Sequence, residues 1–190
     1  MYYALKGICR VIVAIIYRLQ ITGYENIPEG AFVVVGNHTS IFDPIIISFI
    51  TKRPIHFMAK AELFRTKFTK WLFESVKTIK VERGTNDISA IKKSLGVLKR
   101  GDILGLFPEG TRTTGKDANV DAKSGAVMLA HRSKVEILPV AITATYRPFS
   151  KIKVNILPTF DPELYLEDGL DYEKTSNILL ETIYKGVEEN

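Results

Sequence analysis

Apolar residues along this chain follow two patterns, continuous short runs and residues at helical spacing. Continuous runs rich in valine and isoleucine, typical of strands, occur at residues 31–35, 55–59, 78–81, 103–107, 135–143 and 152–157. Between and after them, apolar residues at helical spacing predict helices at residues 44–51, 87–100, 121–132 and 172–188. This alternation predicts the α/β class, with a single layered domain in which helices cover a mixed sheet.

Residues 2–19 predict an amphipathic helix at the start of the chain. One side of its helical wheel is aliphatic: Ile8, Val11, Ile12, Ile15, Ile16 and Leu19. The other side gathers the basic and aromatic residues Tyr3, Lys6, Arg10, Tyr17 and Arg18, together with Gly7 and Ala14. The longest apolar run, residues 11–16, is far shorter than the roughly 20 residues needed to span a bilayer. A helix lying in a membrane interface and a helix packed on the core both fit this pattern.

Residues 59–75 predict a second amphipathic stretch. Its apolar side is rich in aromatics: Leu63, Phe64, Phe68, Trp71 and Leu72. Basic residues surround that side: Lys60, Arg65, Lys67 and Lys70. Aromatics bordered by lysines suit a lipid headgroup zone, and a core helix with a solvated basic face fits equally.

Composition narrows the possible classes of protein. With 190 residues, 46% of them hydrophobic, one compact domain is the simplest organisation. The single cysteine, Cys9, excludes an internal disulfide and a cysteine-based zinc site, and three scattered histidines predict no structural metal. No small-residue cleavage site follows the first apolar stretch, so we expect a reducing cytoplasmic compartment and not secretion.

The charge is distributed unevenly around a net value of +5. Residues 51–100 carry thirteen Lys/Arg and four Asp/Glu, whereas residues 154–190 carry two and nine. A basic region of this kind predicts an anionic partner, which could be a membrane, an anionic substrate or nucleic acid. Nucleic acid is the weakest of the three, because no helix-turn-helix, zinc-finger or RRM signature accompanies the region.

Two short motifs carry the candidate chemistry. Asn37-His38-Thr39-Ser40-Ile41-Phe42-Asp43 places an imidazole and a carboxylate five positions apart, directly after a predicted strand. Phe107-Pro108-Glu109-Gly110-Thr111-Arg112 places a turn, an acid and an arginine after another. Together they resemble the motifs of the glycerolipid acyltransferases, most closely those that acylate 1-acylglycerol 3-phosphate. Residues 80–84 and 137–141 resemble two weaker blocks of that family.

The resemblance implies a role for each of these residues. His38 is the expected general base and Asp43 its partner, since a carboxylate can orient an imidazole and stabilise its charged form. Acceptor binding is assigned to Glu109, Gly110, Thr111 and Arg112, with Arg83 and Lys123 adding positive charge. A phosphate would be repelled by Glu109, so an alternative is that Glu109 holds Arg112 or the loop backbone in place.

The first motif has other possible interpretations. Asp43-Pro44 is also a good helix start, so Asp43 could serve only as a cap. Ser40 is a poor candidate nucleophile, because no Gly-x-Ser-x-Gly turn is present and it lies two residues from its own base. The substrate hydroxyl is therefore the expected nucleophile, with no covalent enzyme intermediate.

The sequence thus predicts residues 1–20 as an interface helix and residues 21–190 as an acyltransferase domain. Its expected reaction esterifies lysophosphatidic acid with an acyl group from a coenzyme A or acyl-carrier-protein thioester, giving phosphatidic acid and requiring no bound cofactor or metal. Other acceptors, thioester hydrolysis, and a catalytically silent lipid-binding protein are alternatives. We expect a peripheral or monotopic protein on the cytoplasmic face of the cell membrane, attracted to anionic lipids.

Overall fold

A computed structural model of the chain describes residues 1–82, 87–112, 122–165 and 171–189. The strands are β1 (Arg18–Thr22), β2 (Val33–Gly36), β3 (Ile55–Lys60), β4 (Ile79–Val81), β5 (Ile103–Leu106), β6 (Ile137–Ala144) and β7 (Lys151–Ile156). The helices are α1 (Tyr2–Ile16), α2 (Asp43–Ser48), α3 (Lys67–Ser75), α4 (Ile88–Lys99), α5 (Gly125–Ser133) and α6 (Tyr172–Glu188). Short 3-10 turns occur at Tyr24–Asn26, Ala61–Phe64 and Pro162–Leu164.

The strands form one seven-stranded mixed sheet in the order β1-β7-β6-β2-β5-β3-β4. Neighbouring strands run parallel except β6 and β7, which are antiparallel. The central strand β2 is buried along its whole length, which explains its unbroken run of valines. Val33 and Val35 pack in the layer that contains α4, α5 and α6, while Val34 packs in the layer that contains α2 and part of α1. The predicted α/β class is confirmed.

Most predicted elements lie within a few residues of the observed ones, and α6 has the predicted bounds. In the stretch predicted as amphipathic, residues 59–75, only α3 is α-helical, and a 3-10 turn precedes it. The predicted first helix was too long, because α1 ends at Ile16 and Arg18–Thr22 is the strand β1. Leu19 and Ile21 alternate with exposed neighbours there, which suits an edge strand pairing with β7. The boundary predicted at residue 20 therefore falls inside this strand.

Helix α1 lies against the domain through a narrow side only. Tyr2 and Val13 are buried, and Lys6 donates a hydrogen bond from Nζ to the carbonyl of Thr51. The aliphatic side faces solvent, with these exposed fractions: Ile8 57%, Val11 61%, Ile12 48% and Ile15 69%. Large exposed apolar patches often belong to interaction surfaces, which makes this side of α1 a candidate for one. In the described parts of the chain, no helix is both long and apolar enough to cross a membrane.

Candidate active site

Both sequence motifs lie at the same edge of the sheet. Strands β2 and β5 are parallel neighbours, with Val35 opposite Leu106, so the loops that follow them begin side by side. The first motif occupies the loop after β2 and the second occupies the loop after β5. In open α/β sheets this carboxyl edge is where ligands usually bind.

The first loop wraps around the carboxylate of Asp43, which has no solvent exposure. Its Oδ2 atom lies 3.0 Å from Nδ1 of His38 and accepts the backbone N–H groups of Thr39 at 2.7 Å and Ser40 at 2.6 Å. Its Oδ1 atom accepts a hydrogen bond from the hydroxyl of Tyr146. The five-residue spacing thus produces a turn that orients both the imidazole and the carboxylate.

The capping interpretation of Asp43 is wrong. Asp43 is the first residue of α2, the N-cap position is Phe42, and no side-chain cap bond forms there. Its acceptor oxygens instead receive donors from residues that precede the helix. Pro44 follows within the first turn, where its missing N–H costs nothing. Pro44 therefore favours the start of α2, while the side chain of Asp43 orients His38.

Glu109 connects the second motif to the first. It is 3% exposed, and its Oε2 atom accepts the backbone N–H of His38 at 2.9 Å. Its Oε1 atom accepts the hydroxyl of Tyr184, from α6, at 2.7 Å. The ring of Phe107 stacks on the imidazole of His38, with centroids 4.2 Å apart and planes inclined by 21°. These contacts fit the alternative in which Glu109 holds the loop backbone.

Gly110 allows a lysine to approach the second motif closely. Its φ of 64° is in the left-handed region, and its N–H donates to the carbonyl of Phe107 at 3.0 Å. A Cβ atom at this position would lie 2.9 Å from Nζ of Lys123 and 2.7 Å from its Cε. The backbone N–H of Lys123 also donates to the carbonyl of Pro108 at 2.8 Å. The structure therefore brings Lys123 to the loop where the sequence placed acceptor binding.

The remaining predicted site residues are Thr111, Arg112 and Arg83. Thr111 and Arg112 are exposed at the end of the second motif. Arg83 lies outside the described residues. Arg112 and Lys123 thus bring two basic side chains to the second motif.

Sequence reasoning missed three polar residues that hold this edge of the sheet together. The amide of Asn37 exchanges two hydrogen bonds with the backbone of Ile142 in β6, at 2.9 and 2.8 Å. The hydroxyls of Tyr146 and Tyr184 bind the two buried carboxylates. Burial, with the adjacent charge of Asp43, raises the pKa of Tyr146, so this side chain stays a protonated donor. Asn37 lies within a motif and could have been suspected, whereas the local sequence around the two tyrosines carries no such signal.

This geometry suits general base chemistry. Nδ1 of His38 is directed at Asp43, so Nε2 is the nitrogen placed to take a proton from a substrate hydroxyl. The imidazole side chain is 19% exposed, which leaves it accessible from the sheet edge. Asp43 would stabilise the imidazolium that forms, through the hydrogen bond that fixes the ring.

Comparison with known proteins identifies the family. The sequence profile of the Acyltransferase family matches residues 18–143. A 1-acyl-sn-glycerol-3-phosphate acyltransferase of Bacillus subtilis is 33% identical over 143 residues, which is 74% of this chain and 70% of that protein. One of Borreliella burgdorferi is 34% identical over 137 residues, covering 70% of this chain and 54% of that protein. The crystal structure of the 1-acyl-sn-glycerophosphate (LPA) acyltransferase PlsC from Thermotoga maritima superimposes with a TM-score of 0.78 at 27% identity, over 98% of this chain and 78% of that one. With both motifs at one sheet edge and a family match over most of its length, this chain belongs to the acyltransferase family.

Proposed function

We propose that the protein transfers a fatty acyl group from a coenzyme A or acyl-carrier-protein thioester to the free hydroxyl of 1-acylglycerol 3-phosphate. The product is phosphatidic acid. The observation that carries this proposal is the contact of 3.0 Å between Nδ1 of His38 and the buried Asp43, at the edge of the sheet that usually binds ligands. The named activity of the relatives in Bacillus subtilis and Borreliella burgdorferi supports this choice of acceptor.

The proposed reaction needs one base and no covalent enzyme intermediate. Nε2 of His38 takes the proton of the acceptor hydroxyl as its oxygen attacks the thioester carbonyl carbon. The tetrahedral intermediate then collapses, the carbon–sulfur bond breaks, and the thiolate takes the proton back from the imidazolium. Asp43 keeps the ring in the required orientation through both steps. The thioester is a cosubstrate, and no bound cofactor or metal enters the scheme.

The phosphate of the acceptor is proposed to bind beside the second motif. Arg112 supplies a guanidinium that can bind a phosphate in a bidentate manner, and Lys123 supplies a second positive charge across Gly110. Arg83 is proposed to join them. Glu109 contributes indirectly, because its carboxylate holds the His38 backbone and the Tyr184 hydroxyl.

Membrane attachment through α1 is the second part of the proposal. Its exposed aliphatic side, Ile8, Val11, Ile12 and Ile15, would enter the interface of an anionic membrane at the cytoplasmic face. A monoacyl acceptor resides in such a membrane, so peripheral attachment brings the base to its substrate.

Three alternatives make different demands on the same site. Transfer to glycerol 3-phosphate or another lysophospholipid would keep the chemistry and change only the acceptor. A silent lipid-binding protein has no need for a base oriented by a buried carboxylate, so the geometry at Asp43 favours an enzyme. A thioester hydrolase would use water in place of the alcohol, and its thiol release would not depend on the acceptor.

The deciding experiment measures thiol release and phosphatidic acid formation with and without 1-acylglycerol 3-phosphate. We expect His38→Ala to lower kcat by about 10²–10⁴ while the protein stays folded. His131→Ala is the matched control, because His131 also contacts a carboxylate, Glu163, at 2.6 Å, but does so from α5. Similar losses in both variants, or acceptor-independent thiol release, would contradict the proposal.

A further inference from the structure

Two tyrosines from the last third of the chain each bind a buried carboxylate of one motif. Tyr146 donates to Oδ1 of Asp43, and Tyr184 donates to Oε1 of Glu109 at 2.7 Å. Both tyrosines follow residues 18–143, the segment that matches the family profile. The two carboxylates reach His38 at different atoms, since Asp43 contacts the imidazole and Glu109 contacts the backbone N–H.

The backbone at Tyr146 adopts an unusual conformation. It lies just after β6 with a φ of 52°, in the left-handed region that is disfavoured for a bulky aromatic residue. Such a conformation persists where the surroundings fix it, and it is often associated with function. Here the Tyr146 ring contacts Tyr17 edge-on at 6.1 Å and Phe42 at 5.9 Å, while its hydroxyl points at Asp43.

We propose that Tyr146 is a positioning residue for the acyl transfer: its hydroxyl fixes Asp43 so that Oδ2 meets His38, and thereby sets the proton affinity of the base. This inference rests on the proposed role of His38. A carboxylate held on one oxygen by a hydroxyl donor is kept from rotating away from the imidazole on the other. The donated hydrogen bond also withdraws charge from Asp43, which moderates how strongly it stabilises the imidazolium.

Removal of the Tyr146 hydroxyl should therefore have two separable effects. Asp43 loses one constraint, so the imidazole is held less well and kcat falls. Its negative charge is also less dispersed, so the imidazolium is stabilised and the pKa of His38 rises. Among the described residues, the ionisable side chains that contact this cluster include Tyr17, against the Tyr146 ring, and Tyr184 with Glu109, which binds the backbone of His38. Their variants provide the comparison.

The experiment compares Tyr146→Phe, Tyr184→Phe and Tyr17→Phe by pH profiles of kcat/KM. Tyr146→Phe should lower kcat roughly tenfold, as expected for losing a hydrogen bond to a charged group, with both KM values nearly unchanged. The acid limb of its kcat/KM profile, where activity falls as His38 becomes protonated, should move to higher pH. Tyr184→Phe should lower kcat and move that limb much less, because the hydrogen bond that joins His38 to Glu109 comes from the backbone N–H and not from the imidazole. Tyr17→Phe should leave the limb unmoved, since its hydroxyl faces the Tyr146 carbonyl.

An unmoved acid limb in Tyr146→Phe would overturn the proposal, whatever happens to its kcat or melting temperature. NMR titration of the His38 imidazole, assigned by its loss in His38→Ala, provides a readout that does not need turnover. A raised pKa of His38 in Tyr146→Phe is the expected result, and an unchanged one would refute the positioning role. If the wild-type protein forms no phosphatidic acid, the proposed function fails while this titration still tests Tyr146.

Discussion

At the scale of single residues, the site depends on how fully its buried acids are hydrogen bonded. Asp43 has no solvent exposure and receives donors from His38, Thr39, Ser40 and Tyr146. A buried carboxylate without such donors would be costly, because water no longer solvates its charge. The same donors that stabilise the buried charge also fix the direction of the imidazole. The base is therefore oriented when the loop folds.

We predict that Asp43→Asn lowers kcat by about 10²–10⁴ with little change in KM. The new amide can turn its NH2 group towards Tyr146, whose hydroxyl then accepts, while its oxygen keeps Thr39 and Ser40 as donors. Because most bonds survive, the free energy of unfolding should fall by only about 1–2 kcal/mol. The imidazolium, however, loses its counter-charge. Steady-state kinetics and thermal unfolding of the same preparation measure both effects.

Asp171→Ala is the control for a purely structural loss. Its carboxylate caps the start of α6 by accepting the backbone N–H of Lys174 at 2.9 Å. Loss of such a cap should cost about 1 kcal/mol and leave kcat unchanged. If Asp43→Asn behaves like Asp171→Ala, with lower stability and intact turnover, Asp43 has no part in the chemistry.

The sequence predicted part of this residue-scale arrangement. His38 and Asp43 are five residues apart, so a local motif could indicate their contact. Tyr146 and Asp43 are separated by 103 residues, and Tyr184 and Glu109 by 75. Such pairs are created by the order of strands in the sheet, which places the end of β6 beside the loop after β2. No spacing rule within one element can predict them.

At the scale of elements, α1 carries an aliphatic side that does not pack on the domain. Its inward side, with Tyr2 and Val13, is buried, so removing the whole helix would uncover the core. Deleting residues 1–19 would also remove part of β1, which pairs with β7. Sequence periodicity missed that strand because Leu19 also continues the aliphatic side of the preceding helix. Substitution on the outer side is therefore the cleaner test of membrane attachment.

We predict that the double variant Ile12→Ser/Ile15→Ser loses vesicle binding and most activity on long-chain acceptors. Both side chains are exposed, at 48% and 69%, so the melting temperature should barely change. Activity on a short-chain, water-soluble acceptor should persist, since the site itself is untouched. Vesicle co-sedimentation and the two activity assays measure these outcomes.

The matched control is Ile88→Ser, which replaces a 62% exposed isoleucine at the start of α4. It should leave vesicle binding intact. Equal binding by the α1 double variant and the wild type would show that α1 has no role in attachment, and α3, with exposed Phe68 and Trp71, becomes the next candidate.

At the scale of the whole molecule, basic and acidic residues are concentrated on different elements of the fold. Basic side chains line a cleft of about 910 Å³ bounded by α3, β4 and α4, and they include Lys70, Lys77, Lys80, Lys92, Lys93 and Arg100. The acidic excess of residues 154–190 falls largely on α6 and the segment before it. The sequence indicated this asymmetry, but only the fold shows that the basic residues of separate elements line one cleft. A field of this kind attracts anionic surfaces over about a Debye length.

We predict that this field strengthens binding to anionic vesicles and that salt weakens it. Each basic residue near a charged membrane contributes about 1 kcal/mol, so Lys92→Ala/Lys93→Ala should lower binding roughly tenfold or more. Lys174→Ala/Lys185→Ala removes the same charge from α6 and should have a much smaller effect. Vesicle titrations with neutral and anionic lipids, each at low and high salt, measure the difference. Equal effects of the two lysine pairs would mean that net charge alone, without the cleft, governs the attraction. Unchanged binding in both double variants would mean that the aliphatic side of α1 alone attaches the protein to the membrane. Salt does not screen that apolar contribution.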